Sequence, residues 1–140
     1  MENIFVQVGA GPISPDAVVN RVKTAVSGCV VTYVGLIRQY SRGKPVSSVE
    51  YVDADGGAES RLREIALEVA RRWPVNGVAM CHRTGKLEVG DINLVIAIAA
   101  EHRPEGFAAS QYAVDRFKEK LPTRKTETYQ DGEVLVEGGG

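Results

Sequence analysis

Two lysines on either side of a proline are the first candidates for chemistry in this sequence. Lys118 and Lys125 flank Pro122 within Asp115 to Glu127, which reads D-R-F-K-E-K-L-P-T-R-K-T-E. The spacing of Phe107, Val114, Phe117 and Leu121 places these apolar residues on one stripe of a helix that ends at the proline. Lys118, four residues after Val114, falls at the edge of that stripe, whereas Lys120 points further into solvent. An ammonium held against apolar surface loses hydration, so its neutral form becomes more accessible, which suits acid–base or nucleophilic work. The same position also suits a lysine that merely snorkels to water over a hydrophobic edge. The pair therefore needs company before it means chemistry.

That company is cationic. His102 and Arg103 follow an apolar run and precede a helix. Free N–H groups and the positive end of the helix dipole make such a junction an anion site, and Arg103 adds a bidentate fork. Arg38 sits in a loop, I-R-Q-Y-S-R-G-K-P, and can add a phosphate contact. His82 alternates with apolar Met80 and reads as a strand residue with a structural hydrogen bond. No metal-ligand cluster, Walker-type phosphate loop or G-x-S-x-G elbow is present, and Gly9-Ala10-Gly11 is too weak for a dinucleotide fingerprint. With five basic groups and no plausible carboxylate pair, the residues describe a pocket for a small anionic substrate with a lysine as acid, base or nucleophile.

The elements that must position these groups are an alternation of strands and helices. Ile4 to Val8 reads as a strand. Ser14-Pro15-Asp16 then opens a helix running to about Ala25, with a capping hydroxyl, a proline at the first position and an acid in the first turn. Cys29 to Gly35 is a buried strand, and Val46 to Val52 is expected to pair with it as a long-looped hairpin. Asp53 to Gly57 is an acidic helix lead-in that lacks the spaced ligands of a calcium loop. The helix Ala58 to Trp73 carries Leu62, Ile65, Ala66, Val69 and Trp73 on one face. Val78 to Arg83 is a strand, and Ile92 to Ala100, the most apolar stretch, is a central one. The long helix from Glu101-His102-Arg103-Pro104 to Leu121 follows. Lys125 to Tyr129 and Glu133 to Val136 are two small strands around an Asp131-Gly132 turn. The fold class is α+β, one domain over residues 1–140, with a mainly antiparallel sheet.

Composition narrows the setting. The chain is 44% hydrophobic and 25% charged, as a soluble globular protein is. No apolar run reaches the roughly 20 residues of a membrane span, and the N-terminus lacks a secretory pattern. Cys29 and Cys81 lie in separate apolar runs, as buried free thiols of a reducing, cytoplasmic compartment do. A net charge of −1 argues against wholesale nucleic-acid binding, and the basic residues are not interleaved with aromatics as RNA recognition requires.

Four segments in one order carry a family resemblance: V-V-T-Y-V-G-L-I-R, V-A-M-C-H-R-T-G-K-L-E-V-G-D, A-A-E-H-R-P-E-G-F and D-R-F-K-E-K-L-P-T-R-K-T-E. Over roughly Gly28 to Glu133 the chain resembles the large, catalytic subunit of molybdopterin synthase. The resemblance implies an α/β-hammerhead-type fold and a sulfurtransferase of molybdenum-cofactor biosynthesis. Two sulfurs pass to cyclic pyranopterin monophosphate to form the dithiolene. The donor is a thiocarboxylate on the Gly-Gly tail of a small ubiquitin-like subunit, and the large subunit is a homodimer within a heterotetramer. Carried over by motif, Lys118 and Lys125 take the places of the essential lysines, and Arg38, His102 and Arg103 those of the anion pocket. Neither a metal nor a cofactor is implied.

The chain departs from this pattern at two places. Thr123 and Arg124 stand where the family usually has an aromatic pair. Ala54 and Gly57 stand where it usually has tyrosine and methionine. Such losses of bulk are expected to loosen the pocket wall or the partner groove, and they leave open a family member that binds the small subunit without efficient catalysis. A lysine-dependent Schiff-base enzyme acting on a sugar phosphate is a further alternative. The tail Gly138-Gly139-Gly140 reads as a disordered end rather than as an imitation of the partner's glycine tail.

Overall fold

The computed structural model describes residues 3–138 and resolves two sheets and three helices. In chain order these are β1 (Ile4–Gly9), α1 (Pro15–Val22), β2 (Cys29–Leu36), β3 (Tyr40–Ser41), β4 (Lys44–Val52), α2 (Ala58–Arg72), β5 (Val75–Arg83), β6 (Gly85–Leu87), β7 (Ile92–Ala100), α3 (Arg103–Glu119), β8 (Arg124–Tyr129) and β9 (Val134–Gly138). The α+β class and the mainly antiparallel pairing match the sequence reading, with β1 and β5 the parallel exception. Gly139 and Gly140, part of the expected glycine tail, lie outside the described residues, and Gly138 closes β9. No described helix is long and apolar enough to cross a membrane.

The first sheet has the order β1-β5-β7-β2 and buries both faces. This is why β5 and β7 read as nearly unbroken apolar runs rather than alternating ones. On one face α2 and α3 cover Met80, Leu94, Ile96 and Ile98. On the other α1 covers the smaller Ala79, Cys81, Val95 and Ala97. Ser14 caps α1 by accepting from the Ala17 amide, and Pro15 follows it, as the sequence predicts. The helix stops at Val22, short of the expected Ala25, because the Lys23 backbone turns extended.

The second sheet departs from expectation. β4 does not pair with β2, which is bonded to β7 instead. It pairs with β3 through a tight turn at Arg42 and Gly43, both left-handed at φ 56° and 76°. A two-residue turn of that hand matches the twist of its strands. The rest of β4 lies between β6 and β8, and β9 flanks β8. The chain crosses between the two sheets by short links from β2 to β3, β5 to β6 and β6 to β7, and through α2 and α3, the last leading into β8 by way of Pro122.

The stripe expected on α3 is shifted. Its buried face is Gly106, Ala109, Ser110, Ala113 and Phe117, while Phe107 is 60% exposed. Small residues let the helix backbone sit against the sheet, where a Cβ at Gly106 would already press on Val31 at 3.0 Å. Phe117 joins the core from this face, and Val114 and Leu121 are half-buried around it.

Gly28 is fixed by a close approach as well. Its amide donates to the Ala100 carbonyl at 2.8 Å, and a Cβ there would run into the backbone of Glu101. Gly28→Ala is therefore expected to destabilise the fold by about 2–3 kcal/mol through backbone overpacking. Thermal melts against the native chain measure it, and an unchanged midpoint would contradict this packing.

Candidate functional site

The two sheets and the C-terminal end of α3 enclose a cavity of about 840 Å³. Its walls include Arg38, Lys118 and Lys125, so three of the five predicted site residues meet in one place. Arg38 is aimed by its neighbour: the Ile37 amide donates to Asp91, and the Ile37 carbonyl accepts from Gly90, at 3.0 and 2.9 Å. Lys118 is exposed in the last turn of α3, and Lys125 is half-buried on β8, in register with Tyr51 of β4. Among the described residues neither Arg38 nor Lys118 has a carboxylate partner.

His102 and Arg103 are elsewhere. They stand at the opposite end of α3, whose 17 residues span about 25 Å. The helix start is open, with no side chain capping its amides, and it is remote from the lysines within one chain.

The expectation of a purely basic pocket needs correction, because Glu119, Glu127 and Glu137 line the same cavity. Lys125 Nζ lies 3.3 Å from Glu127 and 3.5 Å from Glu137. Burial by itself would lower the lysine's pKa, yet Tyr51 and the two glutamates outweigh it and raise it. Lys125 is thus held as an ammonium, an acid or a fixed positive charge rather than a free base.

Glu127 is the anchor of this arrangement. Burial pushes its carboxyl up, but the Tyr129 hydroxyl, the Lys125 ammonium and the Ser41 hydroxyl hold it below the ordinary carboxylate range. Ser41, at the tip of the β3–β4 hairpin, donates at 3.0 Å, and Tyr129 donates from the same strand as Glu127. The sequence signal for Glu127 was slight: an acid at i+2 from a lysine shares its face of a strand.

Behind the cavity lies the structural histidine. His82 is 1% exposed. Its Nδ1 faces the Asn93 carbonyl and its Nε2 faces the Thr123 hydroxyl, each at 2.9 Å. A carbonyl can only accept, so Nδ1 carries the proton, and Nε2 accepts from Thr123. Tyr51 and Phe117 stand edge-on to the ring at 4.8 and 5.1 Å. Thr123 itself is 1% exposed. The four departures at Ala54, Gly57, Thr123 and Arg124 all lie outside the cavity lining.

Among the described residues no group of three or more His, Cys, Asp or Glu is placed to hold a metal. Cys81 is buried against the α1 face, which pushes its thiol up to about 11, and Cys29 packs towards the opposite face of the sheet.

Burial lowers the pKa of His82 from 6.5, so the folded chain keeps the ring neutral where an unfolded chain would protonate it. The unfolded state then binds more protons, and stability should be intact above pH 6.5 and decline below it. For this group the slope is at most about 1.4 kcal/mol per pH unit. Calorimetric midpoints between pH 7.5 and 5 should show the decline, and His82→Gln should flatten it. Thr123→Val strands the Nε2 acceptor and is expected to cost about 1–3 kcal/mol at pH 7.

Comparison with known proteins follows the same outline. The family model described as "MoaE protein" matches residues 8–120. The molybdopterin synthase catalytic subunit of Halalkalibacterium halodurans is 37% identical over 125 residues, covering 89% of this chain and 80% of the relative. That of a Nostoc species is 38% identical over 122 residues, covering 86% and 74%. The crystal structure of molybdopterin synthase from Staphylococcus aureus superposes with a TM-score of 0.85 at 30% identity, covering 94% of this chain and 95% of that one.

Proposed function

The chain belongs to the MoaE family, whose matched relatives are molybdopterin synthase catalytic subunits, and we propose that its cavity carries out the sulfur transfer of that synthase. The substrate is cyclic pyranopterin monophosphate, and the donor is the thiocarboxylate at the Gly-Gly end of a small ubiquitin-like subunit. The observation that carries this reading is the meeting of Lys118, Lys125 and Arg38 in one cavity large enough for a fused-ring phosphate ester. The described residues act as one unit, because the cavity draws its walls from both sheets.

Each group has a distinct task. Arg38 offers a fork to the substrate phosphate, and that contact orients the reacting carbons. Lys125, kept charged by Glu127 and Glu137, supplies fixed positive charge where negative charge develops as the thiocarboxylate attacks. Lys118 stands in the last turn of α3, among the described residues without a carboxylate partner, and is placed to exchange protons or to meet the incoming tail. A glycine tail has no side chains to exclude it from a narrow approach. Against the alternative of a family member that only binds its partner stand the retained Lys118, Lys125 and Arg38 at the cavity.

His102 and Arg103 enter through the second copy of the chain. A helix length separates them from the lysines of their own copy, so in a twofold dimer they serve the neighbouring cavity.

Single-turnover reaction with thiocarboxylated small subunit and cyclic pyranopterin monophosphate is expected to give dithiolene product. Lys118→Ala and Lys125→Ala should each slow it by about 100-fold or more. Failure of the native chain to form product while binding the small subunit would sink the synthase reading. A mixed dimer of one Lys118→Ala copy and one Arg103→Ala copy retains one intact site of two, so it should recover activity that neither parent dimer has. No recovery would place Arg103 outside the partner's site.

A further inference from the structure

The link between Lys118 and Lys125 is gripped from outside the cavity by a residue remote from the four resembling segments. Pro122 has no amide hydrogen to give to a sheet, so its carbonyl is the available handle. Arg61 of α2 takes hold of it, donating from Nε at 3.1 Å and from Nη2 at 2.8 Å. The other edge of the guanidinium grips Asp55, with Nη1 to Oδ2 at 3.0 Å and Nη2 to Oδ1 at 2.8 Å. Asp53 lies 3.8 Å from the same Nη2, and it also holds the first amide of α2, that of Ala58, at 3.1 Å.

The acidic turn is shaped around this guanidinium. A Cβ at Gly57 would stand 2.7 Å from Arg61 Nη1, and the Gly57 amide donates to Asp55 at 3.0 Å. The bidentate pair keeps the Asp55 carboxyl down at about 2. The D-A-D-G-G stretch is thus a socket for Arg61 as well as a helix lead-in.

We propose that Arg61, seated on Asp53 and Asp55, is a positioning residue for the lysine pair, fixing the α3–β8 link at Pro122 so that Lys118 and Lys125 face the same reacting atoms. The inference rests on the sulfur-transfer reading of the cavity. Pro122 stands four residues after Lys118 and three before Lys125, and Thr123 is tied on its other side to His82. The link is therefore held by polar contacts on both sides at the place where the family usually has an aromatic pair. A guanidinium suits this task because its planar fork serves a carbonyl and a carboxylate together; an ammonium is a single point of charge.

Arg61→Ala should lower the single-turnover rate at saturating substrate by roughly 10- to 100-fold, the cost of a displacement on the order of 1 Å at a reacting group. The dissociation constant for the small subunit should stay within about twofold of native, because Arg61 lies outside the cavity. Arg61→Lys should fail to restore the rate. A native rate in a folded Arg61→Ala chain, or full rescue by lysine, would overturn the proposal. A second readout does not depend on turnover. Competitive acylation followed by mass spectrometry should show the Lys125 to Lys118 labelling ratio changed in Arg61→Ala, with Lys23 as the internal reference. An unchanged ratio would overturn the positioning role whether or not the native chain makes dithiolene. A changed ratio in a chain whose native form makes none would keep the role and remove only the sulfur-transfer reading.

Discussion

The hydrogen bond between Thr123 and His82 is the contact on which the working half of the structure depends. It joins the first sheet to the link that leaves α3, and it does so in a space from which water is excluded. In such a space an unpaired acceptor is costly, so the ring tautomer, the Asn93 carbonyl and the threonine rotamer select one another. Tyr51 and Phe117 then pack against the ring from the second sheet and from α3. One neutral imidazole thereby touches the first sheet, the second sheet, α3 and the link, and the first three carry cavity-lining residues.

This explains why much of the fold was legible in the sequence and why the arrangement of its parts was less so. Helix starts such as Ser14-Pro15 and apolar runs such as Ile92 to Ala100 act through local backbone chemistry, and they were readable. The pairing of β4 was not, because the deciding feature is the left-handed turn at Arg42, a residue type that does not announce such a turn. Phe107 misled for a different reason. Apolar residues predict burial, but at α3 the close approach to the sheet selects the smallest side chains, and the large one is left outside.

The candidate site divides along the same line. Residue types and the resemblance pointed to the lysines and Arg38, and the fold brings these three to one cavity. The carboxylates beside them were missed: Glu137 becomes a neighbour of Lys125 only through the pairing of β8 with β9, and Glu127 was marked only by its i+2 spacing on the same strand. The consequence is chemical. A lysine that seemed a candidate base is held charged, and the balance of the cavity is mixed rather than uniformly positive.

The placement of the two cysteines bears on oxidation. Cys29 and Cys81 face opposite sides of one sheet, with β7 between their strands, so they cannot join in a disulfide without dismantling the core. Cys81 moreover stays a thiol at any ordinary pH, and a protonated thiol is a poor nucleophile towards oxidants. The two thiols are thereby insulated from each other by a whole strand of the core, and neither can serve as the other's resolving partner.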